Sequence, residues 1–147
     1  MDLDDKNTRW HIYLNCACFN LRRAARLVTQ KYDQAFRELG LTANQLPILI
    51  SAHKDGGLSM SKMAKILGME RTTLTRNIAV LERSGLLDVT SGQDKRERRV
   101  TITQKGKDKA KQAMPLWQQT QDELSALVGE EQWQTLLAGL RDVSRKM

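Results

Sequence analysis

The segment LSMSKMAKILGMERTTLTRNIAVLERSGLL, residues 58–87, limits the possible folds more than any other part of the chain. Its spacing predicts a short helix over 60–67 and a longer one over 71–84, separated at Gly68. Two helices this close must cross sharply. That needs a small residue at the approach, which Ala64 supplies, and a turn residue that tolerates positive φ, which Gly68 supplies. It also needs apolar faces on both helices. Met63, Ala64, Ile66 and Leu67 are expected to point inward from the first, and Leu74, Ile78 and Leu81 from the second. Gly85 ends the second helix. The pattern is that of a helix-turn-helix.

With Leu74, Ile78 and Leu81 inside, the opposite face of the second helix centres on Thr72, Arg76 and Arg83. Thr73, Thr75 and Val80 flank it. Short hydroxyls and arginines near a helix N-terminus suit base edges in a major groove. Arg71, Thr72, Thr73, Thr75 and Arg76 are therefore candidate DNA contacts. A merely solvated polar face would explain the helix but not the segment after it. There the period changes to alternation, in Leu86–Thr90 and Arg98–Thr103, both rich in β-branched residues. The connecting residues are Gly92-Gln93-Asp94-Lys95-Arg96-Glu97. The segment predicts a β-hairpin whose tip is too polar to be covered. Lys95, Arg96 and Arg98 then join the candidate set, on a finger that suits a minor groove. Asp94 suits bracing the tip.

Composition agrees. The 147 residues carry a net charge of +7, which favours a polyanionic partner such as double-stranded DNA. No apolar run approaches the ~20 residues of a membrane helix, and the opening MDLDDKN is not a signal sequence. The expected location is cytoplasmic. No Gly-rich phosphate loop, no H-E-x-x-H and no nucleophile–base pair is present. The two histidines, His11 and His53, have no obvious partners, so neither an enzyme nor a cofactor is expected. A winged helix used only for protein contacts would carry an acidic or apolar face in place of Thr72, Thr73 and Arg76.

The flanks are helical. Residues 12–39 carry apolar positions at three- and four-residue spacing from Leu14 to Leu39, with Gly40 as a stop. Thr42 is the expected N-cap of a helix over 43–54, with Pro47 early in it. From Gln104 the helical period returns, with Pro115 expected to bend it and Gly129 to break it before a last helix. Trp117, Leu124, Leu127, Trp133, Leu136, Leu137 and Leu140 exceed what one small core can bury. A second copy of the chain is the expected cover. The whole chain, 1–147, thus reads as one mainly α domain. A 43–103 winged helix-turn-helix lobe with a small β-hairpin wing is flanked by dimerisation helices at 12–39 and 104–147.

Cys16 and Cys18 fall inside the first helical stretch. On one unbroken helix residues two apart point about 200° from each other, so neither a mutual disulfide nor a shared metal is expected.

The chain resembles the MarR family of bacterial regulators. The resemblance rests on the helix-turn-helix segment, the wing motif Asp94-x-Arg96, and Val100-Thr101-Ile102-Thr103-Gln104-Lys105-Gly106, with Ile102 in place of leucine. It runs from about residue 12 to the end. It implies a triangular homodimer on a pseudo-palindromic operator, usually a repressor, released by a small aromatic or phenolic ligand or by oxidation. Cys18-Phe19 and Tyr32 match the thiol and one tyrosine of the family's peroxide sensors, while Arg22 and Ala43 replace two further tyrosines. Cys18 is the redox candidate on that basis, with Arg22 or Arg23 available to favour a thiolate. The alternative is that both cysteines are small apolar fillers of the interface. Trp10, His11, Tyr13 and Arg26 are candidate ligand contacts by composition alone.

Overall fold

The structure is a computed structural model and describes residues 5–92 and 97–147. The elements run α1 (Lys6–Asn15), α2 (Ala17–Phe36), a 3-10 turn (Arg37–Leu39), α3 (Gln45–Ser51), β1 (Leu58–Ser59), α4 (Met60–Leu67), α5 (Arg71–Arg83), β2 (Leu87–Ser91), β3 (Arg98–Ile102), α6 (Gln104–Val128) and α7 (Glu130–Lys146). The central unit matches the sequence pattern closely. Gly68 sits at φ 59°, the left-handed turn between α4 and α5. Ser59 caps α4 by accepting the Lys62 N–H at 3.3 Å. Leu74, Ile78 and Leu81 are all buried. They meet Met63, Leu49, Leu87 and Val100 in one core that also takes Phe36 of α2 and Ala113 of α6. Each fully buried leucine contributes about 1.5–3 kcal/mol through removal of apolar surface from water.

Several expectations are corrected. The first helix is two helices. Cys16, extended at φ −75° and ψ 109°, is the N-cap of α2, and its Sγ accepts the Phe19 N–H at 3.4 Å. The Asn20 side-chain amide holds the break open by donating to the carbonyls of Tyr13 and Cys16, both at 2.9 Å. The premise of one unbroken helix through Cys16 and Cys18 therefore fails, and so does the geometric bar on their pairing. Both thiols are free. The second expected helix is shorter, Gln45–Ser51, with Asn44 at its N-cap position. Thr42 is still the hinge of that turn. Its carbonyl accepts the N–H groups of Gln45 and Leu46, and its own N–H donates to Gln45 Oε1 at 3.0 Å. Ile66, expected inside, is 59% exposed. In an eight-residue helix the inward side is filled by Met60 and Met63, and Ile66 stands beside Leu67 on the wall of an open cavity rather than in the core.

The sheet has three strands, in the order β1-β3-β2, where the sequence suggested two. Leu58 pairs with Val100 and Ser59 with Arg99. Across the hairpin Val89 faces Val100 and Ser91 faces Arg98. The hairpin tip, with Asp94, Lys95 and Arg96, lies outside the described residues. α6 begins at Thr103, whose hydroxyl donates to the Gly85 carbonyl at 2.7 Å and accepts the Gly106 N–H at 3.0 Å. It then runs unbroken through Pro115 to Gly129. Proline removes the donor for the Lys111 carbonyl, but on an exposed side, and the helix continues.

Trp133 and Leu124, two of the apolar residues expected to need a partner's cover, are buried within the chain where α6 and α7 pack together. Leu127, Leu136 and Leu140 are not. Leu14 of α1 (74% exposed) and Leu27 of α2 also stand free, as do Trp10 and Tyr13. Among the described residues, no helix is long and apolar enough to cross a membrane.

Candidate nucleic-acid interface

α5 presents the candidate surface. Its Leu74/Ile78/Leu81 stripe is locked into the core, and this fixes the rotation of the helix about its axis. Arg71, Thr72, Thr73, Thr75 and Arg76 are all exposed on the remaining face. Thr72 and Arg76 are four residues apart and so stack on one side. Arg71 and Thr75 form a second such row, tied by the Thr75 hydroxyl donating to the Arg71 carbonyl at 2.7 Å. That bond leaves the Thr75 oxygen able to accept. Asn77, not singled out by the sequence pattern, donates to the Thr73 carbonyl at 2.9 Å. Among the described residues, Arg76 makes neither an ion pair nor a side-chain hydrogen bond. Its five donors therefore remain available for an outside acceptor.

Arg98 is exposed at the start of β3, opposite Ser91. It is held on the same three-stranded sheet that α4 and α5 pack against. Lys95 and Arg96 lie outside the described residues. Arg99, part of the same cation-rich stretch of sequence but not among the candidate contacts, is also exposed one residue further along the strand.

The four residues proposed from composition as ligand contacts are not gathered into one site. Trp10 and Tyr13 meet edge-on at 6.0 Å between ring centroids, and Tyr13 leans on Phe19 at 5.1 Å. His11 pairs with Asn15 on α1, at 3.2 Å between Nδ1 and the Asn15 amide nitrogen. Arg26 lies further along α2, exposed. None of the four lines either of two cavities that separate the helix-turn-helix lobe from the long helices. One, of about 600 Å³, has Tyr32 and Phe36 of α2, Pro47 of α3, Leu67 of α4 and Trp117 of α6 on its walls. Burial pushes the Tyr32 phenol pKa up. The other, of about 390 Å³, opens between the end of α3 and the first turns of α6. Both draw on residues distant in sequence, and no local motif marks them. Cys18 is exposed near the start of α2, with Arg22 one turn on, also exposed. Among the described residues, no cluster of three or more His, Cys, Asp or Glu is placed to hold a metal.

The comparisons with known proteins agree with this geometry. A family model described as MarR family matches residues 39–97. The M. tuberculosis transcriptional regulator MosR, in a crystal structure with DNA, is 39% identical. The match covers 90% of this chain and 96% of that one, at a TM-score of 0.80. S. aureus MepR, also solved with DNA, shares the fold at a TM-score of 0.76 and 22% identity, over 89% of this chain and 95% of that one. The HTH-type transcriptional regulator YwoH of Bacillus subtilis (strain 168), itself uncharacterised, is 29% identical over 89 residues. That is 60% of this chain and 65% of that protein, so the match spans a little under two thirds of this relative's length. A helix-turn-helix with an exposed threonine–arginine face, a three-stranded wing and a 39%-identical DNA-bound relative lead to one assignment: this chain belongs to the MarR family and is a DNA-binding transcriptional regulator.

Proposed function

We propose that the chain acts as a homodimeric repressor. In this reading it binds a pseudo-palindromic operator, with α5 in the major groove and the wing beside it, and leaves the DNA when a small aromatic or phenolic ligand binds. The observation that carries the reading is the rotation of α5. Burial of Leu74, Ile78 and Leu81 leaves Arg71, Thr72, Thr73, Thr75 and Arg76 all facing outward. Lys95, Arg96 and Arg98 supply the wing's cations. The exposed apolar residues of α1, α2 and α7 support a two-fold partner, which would take them out of water. The cavities between lobe and long helices support a ligand that changes their relative position. The test is selection of bound duplexes from a random pool. Recovery of an inverted repeat with half-sites about one helical turn apart is expected. Recovery of no common sequence would overturn the reading.

Exposure of Cys18 beside Arg22 supports a second reading, in which oxidation of that thiol releases the operator. An organic hydroperoxide should then dissociate the wild-type complex and leave Cys18→Ser bound. Equal responses of the two proteins would refute it.

A further inference from the structure

The outward face of α5 is not uniformly polar. Leu74, Ile78 and Leu81 are at most 3% exposed, whereas Val80 on the same helix is 37% exposed. Val80 follows Arg76 by four residues, which places it one turn on and only about 40° round the helix. Arg83 follows Val80 by three residues and lies on that side too. Ala79 is exposed next to it. Val80 and Ala79 therefore form an apolar spot between two arginines, on the surface that the buried stripe turns outward. The side chains beside the spot are drawn onto the backbone. The Arg83 Nε donates to the Ala79 carbonyl at 3.3 Å, and the Ser84 hydroxyl donates to the Val80 carbonyl at 2.9 Å. Valine in a helix has one strongly preferred χ1 rotamer. Its two methyl groups are thus presented in one arrangement and lose little freedom when something packs on them.

The apolar group that base pairs display in a major groove is the 5-methyl of thymine. We propose that Val80 is a specificity-determining residue, and that it reads the methyl of one thymine in each operator half-site. This rests on the proposed function, in which α5 lies in the major groove, and it names a base which that helix recognises. Arg76 and Val80 are about 6 Å apart along the helix axis at 1.5 Å per residue, close to two base-pair steps. The thymine read by Val80 therefore lies within about two base pairs of the base read by Arg76. The contact is to the methyl alone, so a 5-methylcytosine in the same place also satisfies it. Methylation of a cytosine there strengthens binding, and the regulator distinguishes methylated from unmethylated DNA at that position.

The test uses the inverted repeat recovered by selection, made with each thymine in turn replaced by deoxyuridine. That change removes the methyl and keeps the base pairing. Binding to the full chain is followed by fluorescence anisotropy. In wild type one symmetric pair of positions should be sensitive, within about two base pairs of the position that Arg76→Ala relaxes. The loss should be about fourfold per half-site, the worth of one buried methyl, and about fifteenfold when both half-sites are changed. Val80→Ala should bind the thymine and uracil duplexes within about twofold of each other. Alanine is the better helix former and the site is exposed, so this variant keeps its fold. With cytosine placed at the sensitive position, its 5-methyl derivative should bind wild type about fourfold tighter than cytosine itself and give Val80→Ala no such gain. A uracil effect that persists unchanged in Val80→Ala overturns the proposal, because the methyl is then read by another side chain or through DNA shape. The two readings fail separately. A pool with no common sequence overturns the operator and this contact with it. A specific repeat indifferent to every thymine methyl leaves the operator standing and removes Val80 from its recognition.

Discussion

Replacing Gly106 with alanine tests how α6 is seated on the wing. A Cβ built at Gly106 falls 2.1 Å from the Leu86 carbonyl oxygen and 2.7 Å from Ile102 Cγ1. The first contact is with backbone, so no side chain can swing aside. An ordinary carbon–oxygen approach is about 3.3 Å, so the first turn of α6 must withdraw by roughly 1.2 Å. That movement strains two bonds at once, Thr103 N–H to the Leu86 carbonyl at 3.2 Å and Thr103 hydroxyl to the Gly85 carbonyl at 2.7 Å. Losing both costs about 2 kcal/mol at roughly 1 kcal/mol each. Residual overpacking adds about 1–3 kcal/mol. Alanine's better helix propensity returns about 1 kcal/mol. The net loss is about 2–4 kcal/mol, which for a chain of this length lowers Tm by roughly 4–16 °C. Thermal unfolding followed by circular dichroism measures it. An unchanged or raised Tm would show that α6 does not rest on the Leu86 carbonyl.

Other substitutions probe the DNA face, the dimer and the long helices. Arg76→Ala should relax preference at one symmetric base position in each half-site, with about 1–3 kcal/mol of discrimination lost. Binding to single-base operator variants checks this, and an equal loss on every variant would make Arg76 a phosphate clamp. Arg96→Ala should instead weaken binding to all sequences and make its salt dependence shallower, with a log–log slope reduced by about 2 at most for a dimer. Light scattering of the wild type should give twice the 16.8 kDa chain mass. Leu27→Glu should give the single mass while the lobe stays folded, and a dimer surviving that change would move the interface elsewhere. The hydrogen bond from Lys31, 2.6 Å away, followed by one from Gln119, holds the Glu123 carboxyl below its usual pKa. A lowered folded pKa adds stability above the usual carboxylate range, and that stability is lost as pH falls through the folded value. The Tm values of wild type and Glu123→Gln should therefore differ at neutral pH and converge in acid. Because the pair is exposed, the gap should be small.

What the sequence made legible was whatever depends on neighbours along the chain. Gly68 and Gly85 mark the turns around α5 because only local backbone geometry decides them. The Leu74/Ile78/Leu81 stripe shows the face of α5 because its period is internal to one helix. The break at Cys16 was hidden for the opposite reason. Its cause is the side-chain amide of Asn20, which reaches back over the turn to the carbonyls of Tyr13 and Cys16, and asparagine at that position looks like any polar helix residue. β1 was hidden because two residues carry no period. Leu58 and Ser59 become a strand only by finding Val100 and Arg99 some forty residues later.

The long helices show the same limit in energetic terms. Seven apolar residues between Trp117 and Leu140 read alike in sequence, since amphipathic spacing records that a face is buried but not by what. The structure divides them. Trp133 and Leu124 close the junction of α6 and α7 within the chain, with Glu130 accepting a hydrogen bond from Ser125 beside it. Leu127, Leu136 and Leu140 face outward, as Leu14 and Leu27 do at the other end of the sequence. The two groups should respond differently to substitution. Truncating Trp133 to alanine removes packing inside one protomer, about 3–5 kcal/mol by analogy with other buried aromatics, and should lower Tm with little dependence on protein concentration. Truncating Leu136 or Leu140, which are 46% and 37% exposed, removes in the proposed dimer surface that a partner would cover. Its effect should fade as protein concentration rises, because association restores the folded state by mass action. A concentration-independent loss at Leu136 would mean that α7 completes its own core, and that the second copy sits on α1 and α2 alone.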